Sequence, residues 1–349
     1  KEIRGTNIEA VASDPSNPVE GQVWYNTTTN VVKGFIVNPG SWATVNSMNT
    51  AREELAGCGI ASAALAFGGV ASGTRLRNTE SYNGTNWTEV NDLTTERSLL
   101  AGAGTTTSAL AFGGNAPPTG RDETELYNGT NWTEVNDLNT GRERLAGAGA
   151  NNTAALAIGG EVPAGPTVAI TELWNGTNWT EVNDLNTAIQ FFAAVGTTTA
   201  ALAFGGEPPA TDKTELWNGT NWTEVNDLNT ARSKLAGAGT TTSALAFGGT
   251  PIASKGGLTE SWNGTNWTEL NDLNTPRETP SGAGTDNTSA LAFGGKGPGI
   301  QTATEAWNAG PTTVTFDVSY GMEQLGLKLM IYKQEEKDWQ DVELLIQQL

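Results

Sequence analysis

An internal repeat runs through most of this 349-residue chain. A Gly-Gly doublet follows an apolar run six times, and successive doublets are 45, 46, 46, 43 and 46 residues apart. The doublets lie at 68–69, 113–114, 159–160, 205–206, 248–249 and 294–295. Such regular self-similarity indicates one supersecondary unit used repeatedly, whose copies stack to bury a common core.

Each unit predicts four short β-strands. The first is rich in Gly and Ala, as in "LAGAG" at 235–239, and the second is the apolar run "SALAFGG" at 243–249. The third and fourth, such as "TELWN" at 214–218 and "NWTEVNDL" at 221–228, flank an Asn-Gly pair, which favours a tight hairpin turn. Four antiparallel strands per unit predict an all-β fold, a six-bladed β-propeller with one sheet per blade.

The ends of the repeat array predict how the ring closes. The sixth unit lacks its fourth strand, whereas an unmatched fourth strand, "SWATVNSM" at 41–48, precedes the first unit. Pairing this segment with the last three strands completes blade six. Closure in this way removes two exposed sheet edges, which are an aggregation hazard.

These residues resemble the Kelch repeat over roughly 41–309. The resemblance rests on the Gly doublets, an aromatic residue on strand three, a Trp on strand four and an Arg after strand four. The arginines are Arg52, Arg97, Arg142, Arg232 and Arg277; blade four has Ile189–Gln190 at this point. The resemblance implies a six-bladed Kelch-like β-propeller.

Two flanking segments, 1–40 and 310–349, differ from the repeats. The phrase "PVEGQVWYNTTTNVVKGF" at 18–35 predicts a hairpin and is similar to segments of bacteriophage tail-fibre and virion appendage proteins; a linker with one extra hairpin is the other interpretation. At the other end, we expect a strand at 312–319 and an amphipathic helix at 335–349. That helix would pack on its own propeller, dock to a partner or mediate oligomerisation.

Composition excludes several classes of function. The chain has no histidine and one cysteine, Cys58, so Ser-His-Asp and Cys-His nucleophile systems cannot form. His- or Cys-ligated metal sites are excluded too, and we expect no metal and no cofactor. The net charge of −19 disfavours nucleic acid and anionic membranes as partners. No apolar run is long enough for membrane insertion.

The six strand-four tryptophans could be sugar-stacking platforms or blade core. Their strict recurrence favours packing between blades, where each buries a large apolar area. They are Trp42, Trp87, Trp132, Trp179, Trp222 and Trp267.

The connections between strands two and three vary in length and chemistry, whereas the strand one–two and three–four turns are nearly constant. Loops on a rigid scaffold commonly bind ligands, although drift in surface loops also produces variation. The candidate ligand-binding residues are Arg75, Arg77, Arg121, Asp122, Asp212, Lys213, Lys255 and Lys296. Their cations would suit an acidic glycan or a phosphate-bearing surface polymer. In blade four, the Phe191–Phe192 pair would lie at the channel mouth or fill core.

The sequence therefore predicts a non-enzymatic structural or binding protein of a phage virion: a tail fibre, adhesin or capsid appendage. Expected partners are other virion proteins and a host cell-surface glycan or protein, with homo-oligomers as a further assembly. One alternative is a polysaccharide hydrolase or lyase that uses carboxylates alone, such as Asp122 or Asp212. Another is a purely architectural virion protein.

Overall fold

A computed structural model describes residues 8–19, 21–116, 122–251, 256–316, 327–332 and 343–348. Every regular element in these ranges is a β-strand, as the sequence predicts for the repeats. The chain divides into two compact units, Gly40–Asn308 and a second one formed by Lys1–Pro39 with Ala309–Leu349.

The strands are numbered in chain order. The N-terminal ones are β1 (Glu9–Val11), β2 (Val23–Asn26) and β3 (Val31–Val45). The first repeat gives β4 (Ala56–Ile60), β5 (Ala63–Phe67), β6 (Val70–Ala71), β7 (Thr74–Arg75), β8 (Thr79–Tyr82) and β9 (Trp87–Val90). The second and third give β10 (Ala101–Thr105), β11 (Ser108–Phe112), β12 (Thr124–Tyr127), β13 (Trp132–Val135), β14 (Ala146–Asn151), β15 (Ala154–Ile158), β16 (Thr171–Trp174) and β17 (Trp179–Glu181).

The later repeats continue the series. The fourth and fifth give β18 (Ala193–Gly196), β19 (Ala201–Phe204), β20 (Thr214–Trp217), β21 (Trp222–Glu224), β22 (Ala236–Gly239), β23 (Ala244–Phe247), β24 (Thr259–Trp262) and β25 (Trp267–Glu269). The last strands are β26 (Ser281–Asp286), β27 (Ser289–Phe293), β28 (Thr304–Phe316), β29 (Leu327–Tyr332) and β30 (Glu343–Gln348).

Each repeat forms one antiparallel sheet, and we number these sheets one to six in chain order. Sheets one to five have the strand orders β4-β5-β8-β9, β10-β11-β12-β13, β14-β15-β16-β17, β18-β19-β20-β21 and β22-β23-β24-β25. In sheet six, β3 lies beside β28 and supplies the fourth strand of the order β26-β27-β28-β3. The first strands of successive sheets contact one another in chain order, and β26 of sheet six contacts β4 of sheet one.

Five of the six sheets pack on the next sheet through a phenylalanine on the second strand. A Cβ added to Gly102 would lie 2.5 Å from Cζ of Phe67 in the preceding sheet, so the aromatic ring occupies the space above the glycine. The same relation joins Phe293 of sheet six to Gly57 of sheet one, again at 2.5 Å. The Phe67 ring also lies 4.9 Å from the ring of Trp132 on strand four. Glycine is therefore required on the first strand by packing between sheets.

The six strand-four tryptophans are buried, at 5% exposure each. Each indole nitrogen donates a hydrogen bond to the strand-three threonine of the preceding sheet, at 2.9 to 3.1 Å. The pairs are Trp42–Thr259, Trp87–Thr304, Trp132–Thr79, Trp179–Thr124, Trp222–Thr171 and Trp267–Thr214. Each ring thus buries apolar area without leaving its N–H unpaired.

Five buried arginines connect neighbouring sheets. Each follows the fourth strand of one sheet and forms an ion pair with a glutamate of the next sheet. Arg97 follows the last strand of sheet one and reaches into sheet two, where its Nη2 lies 2.8 Å from Glu125 Oε1 and its Nη1 donates to the Glu123 carbonyl at 2.7 Å. Burial lowers the pKa of this guanidinium, and Glu125 opposes that effect. The equivalent pairs are Arg52–Glu80, Arg142–Glu172, Arg232–Glu260 and Arg277–Glu305.

The junction of sheets three and four departs from this scheme. Ile158 replaces the strand-two phenylalanine, Ala194 replaces the first-strand glycine, and both belong to one apolar cluster. The shorter isoleucine leaves room for the alanine methyl group. Ile189 occupies the arginine position and is buried in the same cluster, while Glu215 keeps hydrogen bonds from the backbone and side-chain nitrogens of Asn186, both at 2.8 Å.

The other unit contains β1, β2 and the start of β3, which pair in that order, and the pair β29 and β30. Strand β2 pairs with the start of β3 around residues 27–30, as the sequence predicts for this hairpin, and β1 adds in parallel. Trp24 Nε1, Asn26 Nδ2 and Lys33 Nζ all donate to the carboxylate of Asp14, which lowers the Asp14 pKa to about 2.

The predicted C-terminal helix at 335–349 is wrong where the structure describes it. Residues Glu343–Gln348 form β30, paired antiparallel with β29, whose "LKLMIY" run offers an apolar strand partner. Pairing with β29 satisfies the backbone hydrogen-bonding groups of this segment in a sheet. The tertiary partner therefore overrides the helical periodicity of the local sequence. Residues 335–342 and 349 lie outside the described ranges. Of the strand predicted at 312–319, residues 312–316 belong to β28.

Exchanging the sheet-junction residues tests this packing. We expect Ile158→Phe alone to lower the free energy of unfolding by about 1–3 kcal/mol, because the larger ring meets the Ala194 methyl group. The double variant with Ala194→Gly restores the usual pair and should recover most of the loss, as measured by urea denaturation. Additive losses in the double variant would contradict the proposed contact.

Removing one buried arginine tests the crossover pairs. We expect Arg97→Met to cost about 3–5 kcal/mol in the free energy of unfolding, because it leaves the Glu125 carboxylate buried without its cation. Lys213→Met is the matched control. It breaks the exposed Lys213–Glu224 pair at 2.8 Å, whose loss should cost less than about 1 kcal/mol. Similar costs for the two variants would show that the buried pair is not structural.

Candidate functional site

The candidate cations of the strand two–three connections lie near acids. Arg77 is exposed, and its Nε is 3.9 Å from Asp92 Oδ2. Lys213 Nζ lies 2.8 Å from Glu224 Oε1, and Lys296 Nζ lies 3.6 Å from Glu53 Oε1. Arg75 is half-buried at the end of β7, opposite Val70.

The two candidate carboxylates occupy equivalent places in different sheets. The carbonyl of Asp122 accepts a hydrogen bond from the Leu138 amide, and that of Asp212 accepts one from the Leu228 amide, both at 2.9 Å. Each therefore lies beside the segment that follows the fourth strand of its own sheet. Arg121 and Lys255 lie outside the described residues. Three of the described candidate cations thus have an acid within 4 Å, and each of these three side chains keeps part of its surface exposed.

A second set of connections, those from strand four to the next first strand, meets around a cavity of about 90 Å³. One residue of each connection lines it in the same backbone conformation, with φ between 49° and 60°. These six residues, which we call the ring positions, are Glu54, Leu99, Arg144, Phe191, Lys234 and Thr279. Positive φ is uncommon for residues other than glycine and costs about 1–3 kcal/mol at a position.

Backbone hydrogen bonds link the ring positions in chain order. The amide of Leu99 donates to the carbonyl of Glu54 at 2.9 Å, and that of Arg144 donates to Leu99 at 2.9 Å. Phe191 donates to Arg144, Lys234 to Phe191 and Thr279 to Lys234, at 3.0, 2.7 and 2.8 Å. This chain of bonds fixes the backbone conformation, so the side chains around the cavity can differ without changing the scaffold.

The floor of the cavity is apolar. The residue after each ring position also lines it and is buried: Leu55, Leu100, Leu145, Phe192, Leu235 and Pro280. The sequence placed Phe191 and Phe192 either at the channel mouth or in core. The structure divides them, because Phe191 is half-buried at a ring position and Phe192 belongs to a core cluster.

Phe191 brings two cations to one side of the cavity. Cζ of Arg144 lies 5.0 Å from the centre of the Phe191 ring, and Nζ of Lys234 lies 5.4 Å from it. Both contacts are cation–π interactions. Arg144 also pairs with Glu161, and Lys234 Nζ lies 3.4 Å from Glu278 Oε2.

Glu54 is the acidic ring position. Its carboxylate accepts a hydrogen bond from the Ser98 hydroxyl, and burial raises its pKa. Repulsion from Glu53 adds to this rise, while Ser98, Arg144 and Lys234 oppose it. Among the described residues, no cation forms an ion pair with Glu54.

The ring positions could have been found by aligning the repeats. Each lies two residues after the arginine position and one residue before an apolar position, and it carries Glu, Leu, Arg, Phe, Lys or Thr. The sequence analysis considered only the longer connections between strands two and three. It missed that one variable residue of each short crossover faces a common cavity, because that convergence exists only in the folded chain.

In the part of the chain that the structure describes, no group of three or more acidic or cysteine side chains is placed to hold a metal ion. Nor is there a helix with the length and apolar character needed to cross a membrane. No known protein family and no curated protein matches this chain.

The cost of burying Glu54 gives a testable pH dependence. A carboxylate whose pKa is raised on folding binds more protons in the folded state, so stability falls as pH rises through that pKa. We expect Glu54→Gln to raise the melting temperature at pH 7, with the gain shrinking as the pH is lowered through the Glu54 pKa. Glu181→Gln, on an exposed part of β17, should show no such pattern. Equal curves for the two variants would contradict the predicted cost.

Proposed function

We propose that Gly40–Asn308 is a closed six-bladed β-propeller of Kelch type. The cyclic contact of the six first strands, including β26 with β4, supports this arrangement. The Trp–Thr hydrogen bonds support it as well, since they run from each sheet to the one before it and from sheet one to sheet six. Closure leaves no sheet without a neighbour on either face.

We further propose that this propeller is a non-enzymatic binding module. The observation that carries the proposal is the contrast at the ring positions. Packing alone would favour one residue type at six equivalent places, as it does for the tryptophans and glycines. Instead, six different side chains surround one cavity on a backbone that is held identical. Variable residues on a rigid scaffold are typical of binding surfaces.

The proposed setting is a phage virion, where the protein serves as a tail fibre, adhesin or capsid appendage. Support comes from the resemblance of the 18–35 hairpin to segments of bacteriophage tail-fibre and virion appendage proteins. In this proposal, the propeller face formed by the strand two–three and four–one connections meets a host surface glycan or protein. The flanking segments join other virion proteins or further copies. Several copies on one particle would turn weak contacts into firm attachment.

Exchange of the connections tests the binding proposal. In a variant, the connections at 70–78, 161–170 and 296–303 are each replaced by "EPPATDK" from 207–213, which removes the short β6 and β7 but keeps the four main strands of each sheet. We expect adsorption of the labelled protein to host cells to fall by at least about tenfold with an unchanged melting temperature. The control replaces Thr106 and Thr107, in the strand one–two turn at the opposite sheet end, by Ala.

Two outcomes would overturn the binding proposal. Unchanged adsorption after the exchange would favour a purely architectural protein. Release of reducing ends from host polysaccharide, abolished by Asp122→Asn or Asp212→Asn, would show a hydrolase that uses carboxylates.

A further inference from the structure

The cavity at the ring positions has a charge pattern that identifies a class of ligand. The ring positions and the residues beside them include more acids than cations. The acids are Glu53, Glu54, Glu143, Glu161, Glu207 and Glu278, and the cations are Arg144, Lys234 and Lys296. Of these, Glu54, Arg144 and Lys234 line the cavity itself, and the other charged residues lie beside the lining. Counted together, the group is net negative, in a chain whose total charge is −19.

The three cations are already paired. Arg144 contacts Glu161, Lys234 Nζ lies 3.4 Å from Glu278, and Lys296 Nζ lies 3.6 Å from Glu53. An anionic ligand would have to compete with these carboxylates for the cations. This competition disfavours an anion in the cavity.

Glu54 differs in its hydrogen-bond partners from the acids that lie beside the cavity lining, which we call the rim acids. Glu207 accepts a hydrogen bond from Ser233 at 2.6 Å, and Glu143 accepts one from Asn115 at 2.5 Å, so these carboxylates are held at the rim. Glu54 itself lines the cavity, half-buried, with the Ser98 hydroxyl as its side-chain partner. A half-buried carboxylate without a counter-ion is stabilised by a cation that enters the same cavity.

The rest of the cavity wall suits a short alkyl chain. Leu99, Phe191 and the buried leucines below them provide apolar walls. A volume of about 90 Å³ is roughly six to nine times the space that one water needs, which fits an end group rather than a whole sugar or peptide segment. The favoured ligand therefore has a charged nitrogen at the end of a few methylene groups.

We infer that the cavity binds an alkylammonium group, with Glu54 as its counter-ion and Leu99 and Phe191 as its apolar walls. This inference rests on the proposed binding face and names the chemistry at its centre. The group would come from a free amine or from a lysine side chain of a partner protein. Phe191 then has two roles, because its ring also contacts Arg144 and Lys234 through the cation–π interactions.

The test uses the full chain and small probes of matched size. Binding of n-butylammonium and of butyrate is followed by NMR titration at pH 7 and low ionic strength. We expect saturable binding of n-butylammonium and none of butyrate. Glu54→Gln should weaken n-butylammonium binding by about tenfold or more, whereas Glu181→Gln, which removes the same charge from an exposed strand, should leave it unchanged.

Further measurements distinguish a protein lysine from a free amine, and a failure of this inference from a failure of the binding proposal. Tighter binding of Nα-acetyl-lysine methylamide than of n-butylammonium would identify a protein lysine as the source, and the reverse would identify a free amine. Preferential binding of butyrate, no binding of either probe, or equal affinity in Glu54→Gln would overturn the inference. If the connection exchange still abolished adsorption, the binding proposal would stand without it. If the protein bound n-butylammonium but did not adsorb to host cells, only the cell-surface role would be rejected.

Discussion

The contact between a strand-two phenylalanine and a first-strand glycine of the next sheet sets the spacing on which the other features depend. Where Phe67 covers Gly102, no larger first-strand residue fits, and the first strands come close enough to touch. That spacing also brings the Phe67 ring within 4.9 Å of Trp132, whose indole reaches the threonine of the preceding sheet. Packing at native density makes these contacts interdependent, so they recur together in five junctions.

The sixth junction shows how such a unit can change. Ile158 is smaller than the phenylalanine of the other junctions, and Ala194 is larger than their glycine. Near the same crossover, Ile189 replaces a buried arginine and Phe192 replaces a leucine. The same crossover places Phe191 at a ring position with two cations beside it. We interpret these joint changes as one rebuilt element, in which core substitutions support an aromatic residue at the cavity.

Much of the repeated architecture was predictable, because each repeat carries its own turn and packing signals. Strands are specified locally by the Asn-Gly turns, the apolar runs before the glycine doublets and the recurring tryptophans. The same signals recur in successive repeats. The C-terminal segment has no such repetition. Its Leu-Leu-Ile run fits a helix or a strand equally well, and pairing with Leu327–Tyr332 decided the outcome. The partners of the candidate charges were not predictable either, since the contact between Lys213 and Glu224 depends on the fold that brings the two side chains together.

The sequence by itself determined the period, the strands and the class of each repeated residue, because turns and alternation are local properties of a chain. Only the tertiary structure decided which variable residues share a surface. Glu54, Arg144 and Phe191 are far apart in sequence, and they line one cavity because the crossovers converge and hold the same backbone conformation. Convergence depends on how whole sheets pack, and no single repeat contains that information.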